Sequence, residues 1–195
     1  MKLYIFEKNK SMCNNFNKKF LEEAAKTMKE NNLEPVPNTK NHQYFMNEAV
    51  NAAINGMTAN EGGPFGCVIV KDGKIIGRGN NKVTSTNDPT AHAEVTAIRD
   101  ACKNLNTFQL DDCIIYTSCE PCPMCLGAIY WARPLKVYYG SNQEDAANIG
   151  FDDQFIYDEI PLPYSERSIP FEQCEREIAL KPFQLWSSKE DKTEY

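Results

Sequence analysis

The sequence is short of histidine and has no long apolar run. Only two of its 195 residues are His, and no apolar stretch approaches the roughly 18 residues that a membrane-spanning helix needs. A composition with 42% hydrophobic and 11% aromatic residues excludes wholesale disorder. A chain of this length is close to one compact domain, or one domain with an appendage, and can bury one sizeable core. We therefore expect a soluble globular protein that does not cross a membrane.

Basic charge is scarce over most of the chain. Residues 1–41 contain eight Lys and five Glu, whereas residues 42–195 carry 13 basic and 22 acidic groups, a net charge of −9. Because nucleic-acid binding depends on neutralising phosphates, this charge favours a small-molecule substrate over RNA or DNA. The first residues lack the apolar core of a secretory signal and the Arg-rich composition of a transit peptide. We therefore expect a cytoplasmic protein, in which disulfides are rare.

Two prolines within residues 33–38 separate an N-terminal extension from the rest of the chain. Apolar residues recur at helical spacing over residues 14–31, and the prolines then interrupt helix and strand alike. This pattern divides the chain into an extension of residues 1–41, with one amphipathic helix and a linker, and a domain of residues 42–195. The extension is either a solvated tail or a regulatory segment that binds a partner.

Helical and strand patterns alternate after the linker. Asp72-Gly73 between apolar runs is a hairpin signal, and Asp88-Pro89 is typical of a helix N-cap followed by Pro in the first turn. The predicted elements, in chain order, are a helix (44–56), two strands (66–70 and 75–79), a helix (about 88–104), a strand (113–117), a helix (121–132) and a strand (136–140). This order predicts an α/β fold with helices on both faces of one sheet.

Metal-ligating residues occur at the starts of two predicted helices. His92 lies in the first turns of one, and Cys122 and Cys125 open the other, where the positive end of the helix favours thiolates. Two thiolates and one imidazole predict a zinc site with a fourth position open for water, the arrangement of a catalytic site. Glu94 points away from His92 at helical spacing and is assigned to general acid and base work. His-x-Glu followed by Pro-Cys-x-x-Cys is the signature of the zinc deaminases.

Other interpretations of the cysteines explain fewer residues. Cys119, Cys122 and Cys125 overlap the spacing of iron–sulfur ligands, but the fourth Cys followed by Pro does not occur. A redox pair of Cys122 and Cys125 leaves His92 without a role, and a noncatalytic zinc-binding module does not require Glu94. The remaining cysteines show no metal spacing and are expected to be ordinary reduced thiols: Cys13, Cys67, Cys102, Cys113 and Cys174.

With these residues in place, the chain from residue 62 to 195 resembles the cytidine-deaminase-like superfamily and, within it, the bacterial guanine deaminases. The zinc motifs are common to the superfamily, whereas residues 150–153 and the final Tyr195 resemble the guanine deaminases. The likeness is carried by residues 62–66, 80–81, 87–99, 116–132 and 150–153. It implies a three-layer α/β/α fold with a central mixed sheet of about five strands, and one zinc ion per subunit. It also implies hydrolysis of guanine to xanthine and ammonia, with zinc-bound water attacking C2 and Glu94 shuttling protons.

The resemblance implies how the purine is held. Asp153 would accept hydrogen bonds from N1–H and N2–H₂ of guanine and help the amine to leave, so it is a second candidate catalytic residue. Asn81 offers an amide donor and acceptor for the N7/O6 edge, and Phe65 and Trp131 would wall the flat ring. Tyr195 would close the pocket from the C-terminal tail. We expect a homodimer, with this tail closing either its own active site or the partner's.

Two related activities stay open at this point. A guanosine or other nucleoside deaminase would use the same metal and differ in whether the pocket admits a ribose at N9. A tRNA adenosine deaminase, which carries an Asn in the same relation to the His motif, is disfavoured by the charge of residues 42–195. The bacterial enzymes lack a counterpart of residues 1–41, so this segment leaves the zinc chemistry unaffected and could alter the assembly.

Overall fold

The computed structural model of the protein describes residues 39–194. The chain divides into two units, Met1–His42 and Gln43–Tyr195. The second unit contains the sheet and every site residue considered below. The amphipathic helix predicted for residues 14–31 and the C-terminal Tyr195 lie outside the described residues, so both remain predictions.

Helices and strands follow one another in the predicted order. They are α1 (Thr39–Thr58), β1 (Gly66–Lys71), β2 (Lys74–Asn80), α2 (Val83–Thr86), α3 (Ala93–Leu105), β3 (Ile114–Cys119), α4 (Pro123–Ala132) and β4 (Lys136–Ser141). Short helices follow, namely α5 (Gln143–Ala147), α6 (Gln154–Glu159), a 3-10 turn (Tyr164–Glu166), α7 (Arg176–Ala179) and α8 (Lys181–Ser188). Within residues 39–194, every helix is too short or too polar to cross a bilayer.

The strands form one mixed sheet in the order β2-β1-β3-β4. β1 pairs antiparallel with β2 and β3, and β3 pairs parallel with β4. The hairpin predicted at Asp72-Gly73 is present, and both residues have positive φ, 49° and 72°, as its tight turn requires. The predicted fold class is confirmed, with four strands in the described part of the chain instead of about five.

Alternate residues of β1 face two helical layers. Val68 and Val70 pack in one core cluster with Phe45 and Ala49 of α1 and with Tyr116 of β3. On the opposite face, a second cluster combines β1 and β3 with α3 and α4, through Cys67, Ile69, Ile115, Ala93, Ala97 and Ile129. A period of two with both faces apolar is what a central strand between two layers of helices requires.

Helix α3 lies directly against β2 because glycine occupies the facing positions of the strand. A Cβ atom at Gly79 would lie 2.2 Å from the carbonyl oxygen of Ala93 and 2.4 Å from the backbone nitrogen of Ala97. Any side chain there would push the helix away from the sheet. Gly79 therefore fixes the position of the first turns of α3, which carry Glu94.

The start of α3 corrects one sequence prediction. Asp88 is not its N-cap, because Asp88 Oδ1 accepts hydrogen bonds from the backbone nitrogen and Oγ1 of Thr90 at 2.8 and 2.7 Å. The helix begins at Ala93, with His92 as its N-cap. Helix α4 likewise begins at Pro123, with Cys122 as its N-cap, and neither N-cap residue makes a side-chain capping hydrogen bond. Two candidate zinc ligands thus occupy positions that usually hold capping side chains.

Candidate active site

The starts of α3 and α4 bring the three predicted zinc ligands together. Nδ1 of His92 lies 3.5 Å from Sγ of Cys122 and 3.4 Å from Sγ of Cys125. The three ligand atoms all lie within 4.8 Å of one another. His92 lies 30 and 33 positions before the two cysteines in the sequence, and the fold brings all three into one compact donor set.

The donor set fits zinc. Two sulfur donors and one imidazole nitrogen are ligands that zinc prefers, and three protein donors leave a four-coordinate ion one position for water. Cys119 does not join them, because its Sγ donates to the carbonyl oxygen of Asn142 at 3.6 Å. The structure therefore does not assemble the three cysteines that an iron–sulfur cluster would use.

One of the two candidate ligand thiols is arranged to lose its proton. Hydrogen bonding from the Cys125 thiol, supported by His92, lowers the pKa of Cys122 to about 4. The same thiol contact, together with burial, raises the pKa of Cys125. The contact with Cys122 raises the pKa of His92. One thiolate therefore forms readily, and a bound cation would complete deprotonation of the second.

Glu94 is buried beside this cluster, held at both carboxylate oxygens. Its Oε1 accepts a hydrogen bond from Oγ1 of Thr117 at 3.0 Å, and its Oε2 accepts one from Sγ of Cys125 at 3.3 Å. Burial raises the pKa of Glu94, while these two hydrogen bonds oppose the increase. A carboxyl group with a raised pKa is suited to accept and return a proton near neutral pH.

Thr117 is a site residue that sequence reasoning missed. It pairs with Cys67 across β1 and β3 and shares the α3 face of the sheet with Ile115, two residues before it. The alternation of β3 was therefore the available signal, because it predicts that residue 117 faces α3. That the hydroxyl meets Glu94 depends on how α3 packs on the strand, which the sequence pattern does not specify.

A cavity of about 470 Å³ opens beside the cluster. Its volume lies within the range of small-molecule binding sites. Six of the predicted site residues line it: Phe65, Asn81, His92, Glu94, Cys122 and Asp153. A larger groove of about 630 Å³ passes α1 and β2, but it holds no candidate metal ligand and its Arg78 is paired with Glu48 at 2.6 Å. The smaller cavity is therefore the candidate active site.

Asn81 faces this cavity with its amide orientation fixed. Its Oδ1 accepts hydrogen bonds from the backbone nitrogens of Gly63 and Val83, at 3.2 and 3.1 Å. The carbonyl is therefore engaged by the backbone, and the NH₂ group is what Asn81 presents to a ligand. A Cβ at Gly62 would lie 2.2 Å from the same Oδ1, so glycine is needed there. The sequence predicts that Asn81 offers a ligand both a donor and an acceptor. The structure leaves only the donor, because Oδ1 already accepts two backbone hydrogen bonds.

Two aromatic rings form an apolar wall of the cavity. Phe65 and Phe151 meet edge to face, with ring centroids 4.9 Å apart and an interplanar angle of 88°. Both line the cavity, and such a pair presents one flat ring face and one edge. Sequence reasoning selected Phe65 but assigned no role to Phe151, which belongs to the segment 150–153.

Asp153 enters the cavity from the loop before α6. It is the N-cap residue of α6, but its side chain makes no capping hydrogen bond. Instead, its Oδ1 accepts a hydrogen bond from Nε2 of Gln143 at 2.9 Å. The backbone nitrogen of Gln143 donates to Oε2 of Glu120 at 3.3 Å. Gln143 and Glu120 both line the cavity, and sequence reasoning selected neither.

Trp131 is not brought to this cavity. Its side chain is 66% exposed on the surface of α4, because it follows Cys125 by six positions and so points well away from the buried stripe of Cys125, Ile129 and Ala132. The expectation that Trp131 walls the ring is therefore not met within one chain. Tyr195 follows the last described residue, so its predicted contact stays a prediction.

Comparison with known proteins identifies the family. Residues 39–141 match the cytidine and deoxycytidylate deaminase zinc-binding region. A guanine deaminase of Bacillus subtilis is 62% identical over 155 residues, which are 80% of this chain and 99% of that protein. This chain belongs to the guanine deaminase family. The resemblance inferred from the sequence is thereby confirmed, and zinc is the metal that the matched region implies.

The fold of this chain is similar to the solved structures of two guanine deaminases. The crystal structure of the Bacillus subtilis guanine deaminase covers 79% of this chain and 98% of its own, with a TM-score of 0.77. A guanine deaminase structure from Nitrosomonas europaea is 30% identical and covers 56% of this chain and 63% of its own, with a TM-score of 0.54. A tRNA-specific adenosine deaminase of Aquifex aeolicus is 41% identical over 99 residues, 51% of this chain and 65% of that protein.

The zinc-region match covers only part of the candidate site. It ends at residue 141, so it includes the three candidate ligands and Glu94 but not Gln143 or Asp153. The alignment with the Bacillus subtilis protein spans 155 residues and is longer by half.

Proposed function

We propose that this protein hydrolyses guanine to xanthine and ammonia, by addition of water at C2 of the purine. The observation that carries the proposal is the presence, in one cavity, of the zinc-ligand cluster, the buried Glu94 and the Asp153 carboxylate. The first two provide hydrolytic chemistry, and the third selects a ring that presents adjacent donors. Membership of the guanine deaminase family supports the same substrate.

Glu94 performs the proton transfers. His92, Cys122 and Cys125 would hold zinc, which would supply a Lewis acid that lowers the pKa of water. Glu94 takes one proton from the water that adds to C2 and passes it to the neighbouring ring nitrogen. It then moves the remaining hydroxyl proton to the 2-amino group, so that the C2–N bond breaks, ammonia leaves and the C2 carbonyl of xanthine forms. Thr117 holds Oε1, whereas Oε2 accepts from the Cys125 thiol, which would lose its proton on binding a metal. Oε2 is therefore the oxygen that carries the proton.

Hydrogen-bond complementarity favours guanine over adenine. Guanine presents N1–H and N2–H₂ as neighbouring donors, and the Asp153 carboxylate accepts from both. The NH₂ group of Asn81 donates to the O6 and N7 acceptors on the opposite edge. Adenine has no 2-amino group and offers an unprotonated N1, which would face the Asp153 carboxylate unfavourably. Phe65 and Phe151 contact the ring faces.

The proposal also covers the oligomeric state of the protein and its cellular compartment. Apolar side chains are exposed on and after α4, including Tyr130 at 75% and Leu135 at 63%, and apolar patches of this kind favour association. We infer a cytoplasmic homodimer in which Trp131 lies in or near the interface. The C-terminal tail with Tyr195 closes an active site, its own or the partner's. The chain comprises an extension of residues 1–41 and a deaminase domain of residues 42–195.

A substrate screen tests the proposal. Purified protein is assayed for bound metal and then for ammonia release from guanine, guanosine, adenine, cytosine and cytidine. We expect zinc and rapid release from guanine. Faster release from guanosine would identify a nucleoside deaminase, and release from neither would contradict the proposed function.

The role of Glu94 has its own test. We expect Glu94→Gln to retain zinc and to lose guanine turnover by orders of magnitude, because an amide neither accepts nor returns the proton. Metal analysis and steady-state kinetics are measured on the same preparation. Near-normal turnover by this variant would assign proton transfer to another group.

A further inference from the structure

Gln143 bridges the two carboxylates on one side of the cavity. It is the first residue of α5, immediately after Asn142, whose side chain accepts from the backbone of Asp145 while the Asp145 side chain accepts from the backbone of Asn142. This reciprocal cap holds the helix start firmly. Gln143 therefore projects from a fixed point at the edge of the cavity.

The bridge has two parts with different chemistry. The backbone nitrogen of Gln143 donates to Oε2 of Glu120 at 3.3 Å, and the side-chain Nε2 donates to Oδ1 of Asp153 at 2.9 Å. A weaker contact of 3.4 Å joins Nε2 to Oε1 of Gln154. The backbone hydrogen bond to Glu120 fixes the position of Gln143, and the shorter side-chain hydrogen bond orients the Asp153 carboxylate.

The Asp153 carboxylate does not cap the helix that it precedes. Its side chain makes no capping hydrogen bond at α6, and Oδ1 of the neighbouring Asp152 accepts from the backbone nitrogen of Gln154 at 2.9 Å. Asp152 therefore supplies the side-chain cap. The Asp153 carboxylate is left to the cavity, where Nε2 of Gln143 holds its Oδ1.

We propose that Gln143 is a positioning residue that keeps the Asp153 carboxylate turned into the cavity. The inference rests on the proposed function in that Asp153 accepts from guanine. The neutral amide of Gln143 holds Oδ1 of Asp153 without neutralising the negative charge of the carboxylate. Oδ2 of Asp153 therefore stays available as an acceptor. Arg or Lys at position 143 would orient the same carboxylate and weaken it as an acceptor by pairing with it.

A double-mutant cycle tests the proposal. Gln143→Leu is expected to lower kcat/KM for guanine about tenfold to a hundredfold, the value of a hydrogen bond to a charged group. In an Asp153→Ala background, Gln143→Leu is expected to change kcat/KM less than twofold, because its effect passes through Asp153. Gln143→Glu, which keeps the size and loses the donor, should lose at least as much as Gln143→Leu. Equal losses in both backgrounds would overturn the proposal.

Gln154→Leu is the matched control. Gln154 is a glutamine on the same surface that touches Gln143 and Asp158 but does not contact the Asp153 carboxylate or line the cavity. We expect wild-type kinetics for this variant. Melting temperatures are measured for all variants. A variant with a wild-type melting temperature and a lower kcat/KM has lost positioning and not folding.

A crystallographic readout does not depend on the substrate. In Gln143→Leu we expect the Asp153 side chain to leave its wild-type rotamer, with the zinc ligands unmoved. An Asp153 carboxylate in the wild-type rotamer would overturn the proposal whatever the enzyme acts on. Absence of guanine turnover by the wild-type protein, with the rotamer change present, would instead overturn the proposed function alone.

Discussion

The hydroxyl of Thr117 determines which oxygen of Glu94 is available for chemistry. It donates to Oε1 at 3.0 Å from a fully buried position on β3, so the carboxylate has one fixed oxygen and one directed to the metal ligands. This contact also opposes the effect of burial on the pKa of Glu94. A single methyl-for-hydroxyl exchange would therefore change both the orientation and the acidity of the proton carrier.

We expect Thr117→Val to lower kcat for guanine about tenfold or more, the value of a hydrogen bond to a charged group, with zinc content unchanged. Loss of the bond leaves burial less opposed and raises the pKa of Glu94. Because the base form is the reactive one, the acidic limb of the pH–rate profile should move to higher pH. Thr117→Ser, which keeps the donor, is the control. An unshifted profile in Thr117→Val would contradict this role.

Sequence reasoning succeeded at residues whose chemistry is local. His92, Glu94, Cys122 and Cys125 belong to short motifs in which the type of residue and its spacing indicate a metal centre. Thr117 and Gln143 carry no such signal, because Thr and Gln are ordinary residues in strands and helices. Their roles depend on which face of β3 meets α3 and on where the loop before α6 returns, and both are tertiary properties.

At the scale of the element, the loop of residues 59–65 can pack against Asn81 because residue 62 is glycine. Gly62 lies against the side chain and backbone of Asn81, where a Cβ would approach Oδ1 to 2.2 Å and the carbonyl oxygen to 2.6 Å. The loop and the segment after β2 therefore support each other, and the direction of the Asn81 amide depends on both.

We expect Gly62→Ala to lower kcat/KM for guanine about tenfold or more, because displacing Asn81 removes a substrate contact and a backbone anchor. The zinc content should be unchanged. Gly127→Ala is the control, since a Cβ at this position of α4 meets no atom within 4 Å. That variant should keep its kinetics and gain about 0.5–1 kcal/mol in unfolding free energy from the better helix former. Wild-type kinetics in Gly62→Ala would show that Asn81 tolerates the displacement.

Element types were predictable, and some boundaries were not. The four strands and the helices α1, α3 and α4 follow from apolar periodicity. The Asp88-Pro89 pair predicts a helix that starts at Asp88, but the carboxylate of Asp88 closes a turn with Thr90. The helices after residue 141 are short and mostly exposed, so they lack the periodic stripe on which a prediction relies.

For the whole molecule, the metal site joins two helices that pack on the same face of the sheet. His92 belongs to the start of α3, and both cysteines belong to the start of α4. A cation bound there stabilises the folded state, because the unfolded chain does not bring the three ligands together.

Removal of zinc should therefore lower the melting temperature by about 5 °C or more, since a few kcal/mol correspond to several degrees in a domain of this size. Readdition of zinc should restore the original value. Cys122→Ala should start from the lower value and be insensitive to a chelator. A wild-type protein that loses zinc with no change in melting temperature would contradict the preferential binding of zinc to the folded state.

The choice of alanine in that control follows from the position of the ligands at the helix starts. Ser is the customary replacement for Cys, but it is a strong N-cap. At residue 122 it would remove a metal ligand and at the same time add a cap worth about 1 kcal/mol, so the net stability of that variant would understate what the metal contributes. In this protein two of the zinc ligands are also the N-cap residues of their helices. A substitution at either residue therefore changes metal binding and helix capping together.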